Sequence, residues 1–187
     1  MFTWRRMKKK NFKISHLYIK SILNIINNKK LNLLLINNNI TLYFSLHHMI
    51  SKYRKNMKFT NEKIKYVKTT QISDCLTKCN LLITDFSSII FDMIYQKKPY
   101  IMFIPDEDEP NKEKIYSKGY FDLINGLKNG TIFFENKVSN INEMVNKIKY
   151  YVNNNFKLEL KLLKFYDSFG LKCKNNTQAF IDYLLHE

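Results

Sequence analysis

Glycine is scarce in this chain of 187 residues: there are four, beside three prolines and three cysteines. Neither G-x-G-x-x-G nor G-x-x-x-x-G-K-[ST] occurs, which leaves dehydrogenase and P-loop readings without their phosphate-binding turns. The cysteines, Cys75, Cys79 and Cys173, are odd in number and form no C-x-x-C pair, against both a disulfide framework and a zinc site. Cys75 and Cys79 share the apolar stripe of a predicted helix with Ile72 and Leu76 and read as small core residues, suited to a reducing cytoplasmic compartment. No apolar run approaches the length of a membrane span, and the N-terminus has no secretory-type apolar stretch.

Acidic residues are also few, 16 against 31 Lys and Arg, for a net charge of +15. Such a surface attracts nucleic acid, anionic lipid headgroups and phosphorylated substrates. The abundance of Asn, Lys and Ile has the look of AT-rich coding, so part of the basic excess is compositional. The basic residues are scattered, and most aromatics lie inside apolar periodic runs, which counts against a nucleic-acid-binding face. The one dense cluster is Arg5, Arg6, Lys8, Lys9, Lys10 and Lys13, ahead of an amphipathic run with Leu17, Tyr18 and Ile22. It reads either as a solvated segment or as a peripheral contact with an anionic membrane.

With 45% hydrophobic residues the chain can bury one ordinary core, so residues 1–187 read as a single domain with a basic, helical lead-in over 1–30. Helical spacing runs from Ile14 to Ile26 and ends at Asn27-Asn28, and LNLLLI is a second, shorter helical segment. ITLYFSL (40–46), IKYV (64–67), LLIT (81–84), YIMFI (100–104) and TIFF (131–134) read as strands. HMISKYRK, ISDCLTKC (72–79) and SSIIFDMIYQ (87–96) read as helices, as do stretches near 139–152, 157–167 and 176–186. LLIT shows no alternation, as in a strand covered on both faces. The order predicts an α/β fold with a Rossmann-like, doubly wound parallel sheet, in which ligands bind beyond the carboxyl ends of the strands.

Within that frame TDFSS (84–88) is the junction between a buried strand and a helix with a buried face. Ser87 and Ser88 there suit an anion, by hydroxyl donors and by the free N–H groups of a helix start. They equally suit a helix cap. Thr84 and Asp85 read as loop-closing or capping residues, since a carboxylate repels phosphate. His47 and His48 follow the strand ITLYFSL and fall at the same edge of the sheet, with Lys52, Arg54 and Lys55 downstream to suit a diphosphate. IPDEDEP (104–110) offers Asp106 and Glu107 as ribose or sugar contacts; a Mg²⁺ site and a solvated loop are the other readings.

These stretches carry a resemblance. TWRR (3–6), LYFSLHHMISKY, CNLLITDFSSIIFD, KKPYIMFIPDEDE and SKGYFDL, in this order over residues 2–148, resemble the C-terminal half of the CDP-glycerol:glycerophosphotransferase family, the teichoic-acid primases and polymerases. Bacterial polysialyltransferases show a similar His-and-Ser-Ser pattern. Two residues depart from the family: His48 stands where it usually has Pro, and Phe86 where it has Tyr.

The resemblance implies the nucleotide-donor domain of a GT-B architecture, with Ser87 and Ser88 at the donor diphosphate and His47 assisting the leaving group; Arg54 joins the diphosphate set by its place downstream of the histidines. It implies CDP-glycerol or a related donor, a lipid-linked acceptor in teichoic-acid or other cell-surface polymer synthesis, and no cofactor or metal. The expected location is the cytoplasm, at the inner face of the plasma membrane. The family's acceptor domain precedes the TWR-like segment, so the chain reads as a donor half that is inactive alone. Alternatives are a non-catalytic remnant, a half that needs a separate N-terminal partner, and, less favoured, a basic nucleic-acid-binding protein.

Overall fold

The computed structural model describes residues 16–85, 87–105 and 136–168. Helix α1 (His16–Asn27) buries Tyr18, Ile22, Ile25 and Ile26, a stripe at helical spacing. Burial of each such side chain contributes about 1.5–3 kcal/mol before entropy is counted. Asn28 then caps α2 (Lys29–Asn37), its side chain accepting from the Leu31 N–H at 2.9 Å. α2 buries Leu31, Leu34 and Leu35 and packs on α1.

Two short parallel sheets follow. β1 (Leu42–Phe44) pairs with β2 (Ile64–Tyr66), Phe44 opposite Tyr66. The connection contains a 3₁₀ helix over His48–Asn56, and a second 3₁₀ turn, Thr69–Gln71, leads into α3 (Ile72–Lys78). β3 (Leu82–Thr84), β4 (Tyr100–Phe103) and β5 (Lys137–Val138) form the other sheet, in that order and all parallel. α4 (Ile90–Tyr95) connects β3 to β4, and every residue of β4 is buried, as befits the central strand. The parallel strands and intervening helices make this a mixed α/β fold.

Helices α5 (Ile141–Asn153) and α6 (Leu160–Ser168) close the described chain. Asn140 caps α5 by accepting from the Glu143 N–H at 3.0 Å, while Glu143 accepts from the Ser139 N–H at 3.2 Å. α5 lays Met144, Val145, Ile148 and Tyr151 against α1, α2, β4 and β5.

At the amino end of β4 a polar cluster ties these elements. The Asn136 amide donates to the Tyr100 carbonyl at 3.2 Å and to the Tyr151 phenol oxygen. Lys147 donates to Asn136 Oδ1 at 2.8 Å, and the Tyr151 hydroxyl donates to Glu159 Oε1 at 3.0 Å. Beside it Tyr166 stacks on Tyr100, ring centroids 6.1 Å apart, and donates to the Lys98 carbonyl at 2.6 Å. Burial pushes the phenols of Tyr151 and Tyr166 well above the ordinary tyrosine range; Glu159 adds to the effect at Tyr151.

The glycine poverty leaves a visible mark. Asn39, Lys97, Asn136, Asn155 and Phe156 all adopt positive φ, between 51° and 67°. Asn tolerates that region; Lys97 and Phe156 are held there against their preference.

Three expectations change. The segment HMISKYRK is helical but winds as 3₁₀, with Arg54 Nη1 donating to the Met57 carbonyl at 3.1 Å just beyond its end. α4 begins at Ile90, so Ser87 and Ser88 precede the helix instead of opening it. The two-residue strand β5 stands where no strand is expected. The strand expected at TIFF and the helix at 176–186 lie outside the described residues. Among the described residues no helix is long and apolar enough to cross a membrane.

Candidate functional site

β1 and β3, one strand from each sheet, share the lining of two cavities. A cavity of about 120 Å³ is bordered by Leu42–Ser45 from one strand and Leu81–Ile83 from the other, and a second of about 280 Å³ also touches both. In strand order the sheets run β1 to β2 and β3 through β4 to β5.

On the β1 side, Ser45 and Leu46 are buried and His47 is half-buried. The His47 carbonyl accepts from the Ile50 N–H at 2.9 Å, which starts the 3₁₀ segment directly after the histidine. The His48 backbone belongs to that segment; its side chain lies outside the described residues.

On the β3 side, Thr84 and Asp85 are both 0% exposed. The Tyr18 hydroxyl donates to Asp85 Oδ2 at 2.9 Å, so the carboxylate is turned into the fold and joins the loop to α1. Ser87 is buried at 5% exposure, while Ser88 is exposed. Their carbonyls accept from the Ile90 and Phe91 N–H groups at 3.2 and 3.0 Å, closing the turn into α4. The N-cap position of α4 is Ile89, so neither serine occupies it. At six residues that helix is also too short to add much dipole field.

Arg54, in the connection from β1 to β2, lies against Tyr66, the last residue of β2. Its guanidinium carbon is 4.6 Å from the Phe59 ring centre and 5.0 Å from that of Tyr66, and Phe59 meets Phe44 edge to face. One N–H goes to the Met57 carbonyl. Rings and carbonyl fix the orientation of the guanidinium and leave donors unspent, since the group has five.

His47 thus follows the carboxyl end of β1, Ser87 and Ser88 follow that of β3, Arg54 lies against the last residue of β2, and Thr84 and Asp85 are inside the fold. Asp106 and Glu107 lie outside the described residues, as do Phe86 and the basic cluster at positions 5–13. Two residues bearing on the site were not singled out from sequence. Tyr18 sat among apolar helix residues and read as core. Ser45 is a hydroxyl inside the apolar run LYFSL, two residues before His47, which is the sequence signal it offers; its Oγ is buried without a hydrogen-bond partner.

No solved structure matches the chain. Among curated proteins, the minor teichoic acid biosynthesis protein GgaB of Bacillus subtilis (strain 168) is 33% identical over 107 residues, 57% of this chain. The matched stretch is 11% of GgaB, so the chain spans a small part of that relative's length. The model of the CDP-glycerol:poly(glycerophosphate) glycerophosphotransferases matches residues 1–179, which takes in β1, β3 and both of their carboxyl-end loops. On that match, the chain belongs to the CDP-glycerol:poly(glycerophosphate) glycerophosphotransferase family.

Proposed function

We propose that this chain is the nucleotide-donor-binding part of a glycerophosphotransferase, a GT-B C-terminal-type domain whose donor is CDP-glycerol or a close relative. The observation that carries the reading is a cavity bordered by both β1 and β3, with His47 in the loop after β1 and Ser87–Ser88 in the loop after β3. The transfer is attack of an acceptor hydroxyl on the glycerol-bearing phosphorus, with CMP leaving. Ser87 and Ser88 would donate to diphosphate oxygens, and Arg54 would meet the charge with its remaining N–H groups. His47 would stabilise or protonate the departing CMP phosphate. The acceptor is a teichoic-acid-type polymer or its lipid-linked precursor, and the setting is the cytoplasmic side of the membrane. The printed role of GgaB in minor teichoic acid biosynthesis supports this choice of acceptor.

A nucleotide thermal-shift panel tests the donor reading, because a ligand that binds only the folded state raises the melting midpoint. CDP and CDP-glycerol should raise it, less so at high salt, and glycerol 3-phosphate alone should do little. Equal midpoints with and without every cytidine nucleotide, at millimolar concentration and low salt, would remove the reading.

A further inference from the structure

We propose that the cavity between β1 and β3 receives the pyrimidine ring of the donor nucleotide, and that the Ser45 hydroxyl reads the polar edge of that ring. The inference rests on the donor-site reading above and assigns the base a place within it.

Three observations carry it. The first is size. The cavity measures about 120 Å³. An engineered protein cavity of about 150 Å³ takes up benzene. The space is therefore of the order that takes one six-membered ring.

The second is the lining. Val67, Ile72, Leu76 and Ile89 border the space, so its walls are largely apolar, as ring-binding slots are. Within that lining Ser45 is 4% exposed, and its Oγ has no hydrogen-bond partner. A hydroxyl buried without a partner is a cost to the folded state, and a heterocycle edge carrying N and O would relieve it.

The third is position. Ser45 directly follows β1 and stands two residues before His47, while Ile89 directly follows Ser88. A ring held at this end of the cavity leaves its ribose and phosphates at the two loops that carry His47 and the serine pair.

Cys75 and Cys79 also border the cavity, are partly buried and are free thiols, which gives a readout independent of turnover. The experiment uses the full chain and four probes in calorimetry: CMP, CDP, AMP and pyrophosphate. CMP should bind and AMP should bind much more weakly. Ser45→Val removes the hydroxyl at similar volume. It should lower CDP affinity about three- to tenfold, the effect of one lost hydrogen bond, and leave pyrophosphate affinity unchanged. CDP should slow alkylation of Cys75, followed by site-resolved mass spectrometry, and pyrophosphate should not.

Equal affinity for CMP and AMP would overturn the slot, as would unslowed alkylation with CDP bound. So would unchanged CDP affinity in a folded Ser45→Val protein. If Ser87→Ala/Ser88→Ala still weakens CDP in those cases, the donor site stands and only the base has been misplaced. If no nucleotide binds the wild-type chain, the donor-site reading falls and takes the slot with it.

Discussion

Tyr18 and Asp85, 67 positions apart, meet in a 2.9 Å hydrogen bond from the phenol to a carboxylate with no exposed surface. The bond ties α1 to the loop that presents Ser87 and Ser88. Tyr18→Phe keeps the ring in the core and removes only the donor. A buried carboxylate deprived of one donor should cost about 1–3 kcal/mol, read as a lower urea midpoint at unchanged m-value. Nucleotide affinity should fall with it, because the serine loop loses its anchor. A Tyr18→Phe protein as stable as the parent would show that other partners alone hold Asp85.

The serine pair gives a second expectation. Ser87→Ala with Ser88→Ala should weaken CDP binding by about 1–3 kcal/mol, two hydrogen bonds to a charged group. Neither serine is the N-cap of α4, so stability should change little. In a transfer assay with the complete enzyme, His47→Ala should depress kcat far more than donor affinity, as expected for a contact made mainly in the transition state. Loss of binding with intact turnover would reverse the assignment.

Arg54 combines two roles that a single substitution can separate. Arg54→Lys keeps the charge but loses the planar stack on Phe59 and Tyr66 and the fixed bond to Met57. A stability loss of about 1 kcal/mol is expected from the stacking alone. CDP affinity should drop further than in a Phe59→Leu protein, which loosens the guanidinium without removing it. If the two variants bind CDP equally well, Arg54 serves the fold and not the phosphate.

The buried phenols set the alkaline limit of stability. Tyr151 and Tyr166 have folded-state pKa values raised above the ordinary 10.0, by burial first and by Glu159 in the case of Tyr151. Above pH 10 the unfolded chain releases phenol protons that the folded chain keeps, so folding stability falls as pH rises. Below pH 10 these two groups contribute no slope. Tyr166→Phe should flatten the alkaline fall, while lowering stability at neutral pH through the lost bond to the Lys98 carbonyl. Urea midpoints between pH 8 and 11 check both signs.

Much of this architecture was readable from residue patterns. LLIT and YIMFI lack alternation because both faces of their sheet are covered, and β4 is buried at every position. The stripe of α1 and the Asn140–Glu143 cap of α5 are local signals that needed no tertiary knowledge. The 3₁₀ winding of His48–Asn56 was not readable, because nine residues are too few to separate a period of 3.0 from one of 3.6. Nor was the start of α4, since Ser87 and Ser88 suit a first helical turn and the turn ahead of it equally well. The inward orientation of Asp85 depends on Tyr18, a partner that no local window contains. At the site, the strand-end placement of His47 and the serines follows from alternation of strands and helices. The aromatic setting of Arg54 arises only when the chain folds back through Phe59 to Tyr66.

The 3₁₀ segment also acts as a ruler. Nine residues at about 2.0 Å per residue reach roughly 18 Å, against about 13.5 Å for the same residues in an α-helix. Three residues per turn set Ile50 and Tyr53 along one line, buried and half-buried respectively, and Ser51 and Arg54 along another. Rewinding to 3.6 residues per turn would twist those lines apart and shorten the span from His47 to Arg54 by about 3 Å. The pitch of this one segment therefore sets how far along its axis the backbone of Arg54 stands from that of His47, while the rings and the Met57 carbonyl aim the guanidinium.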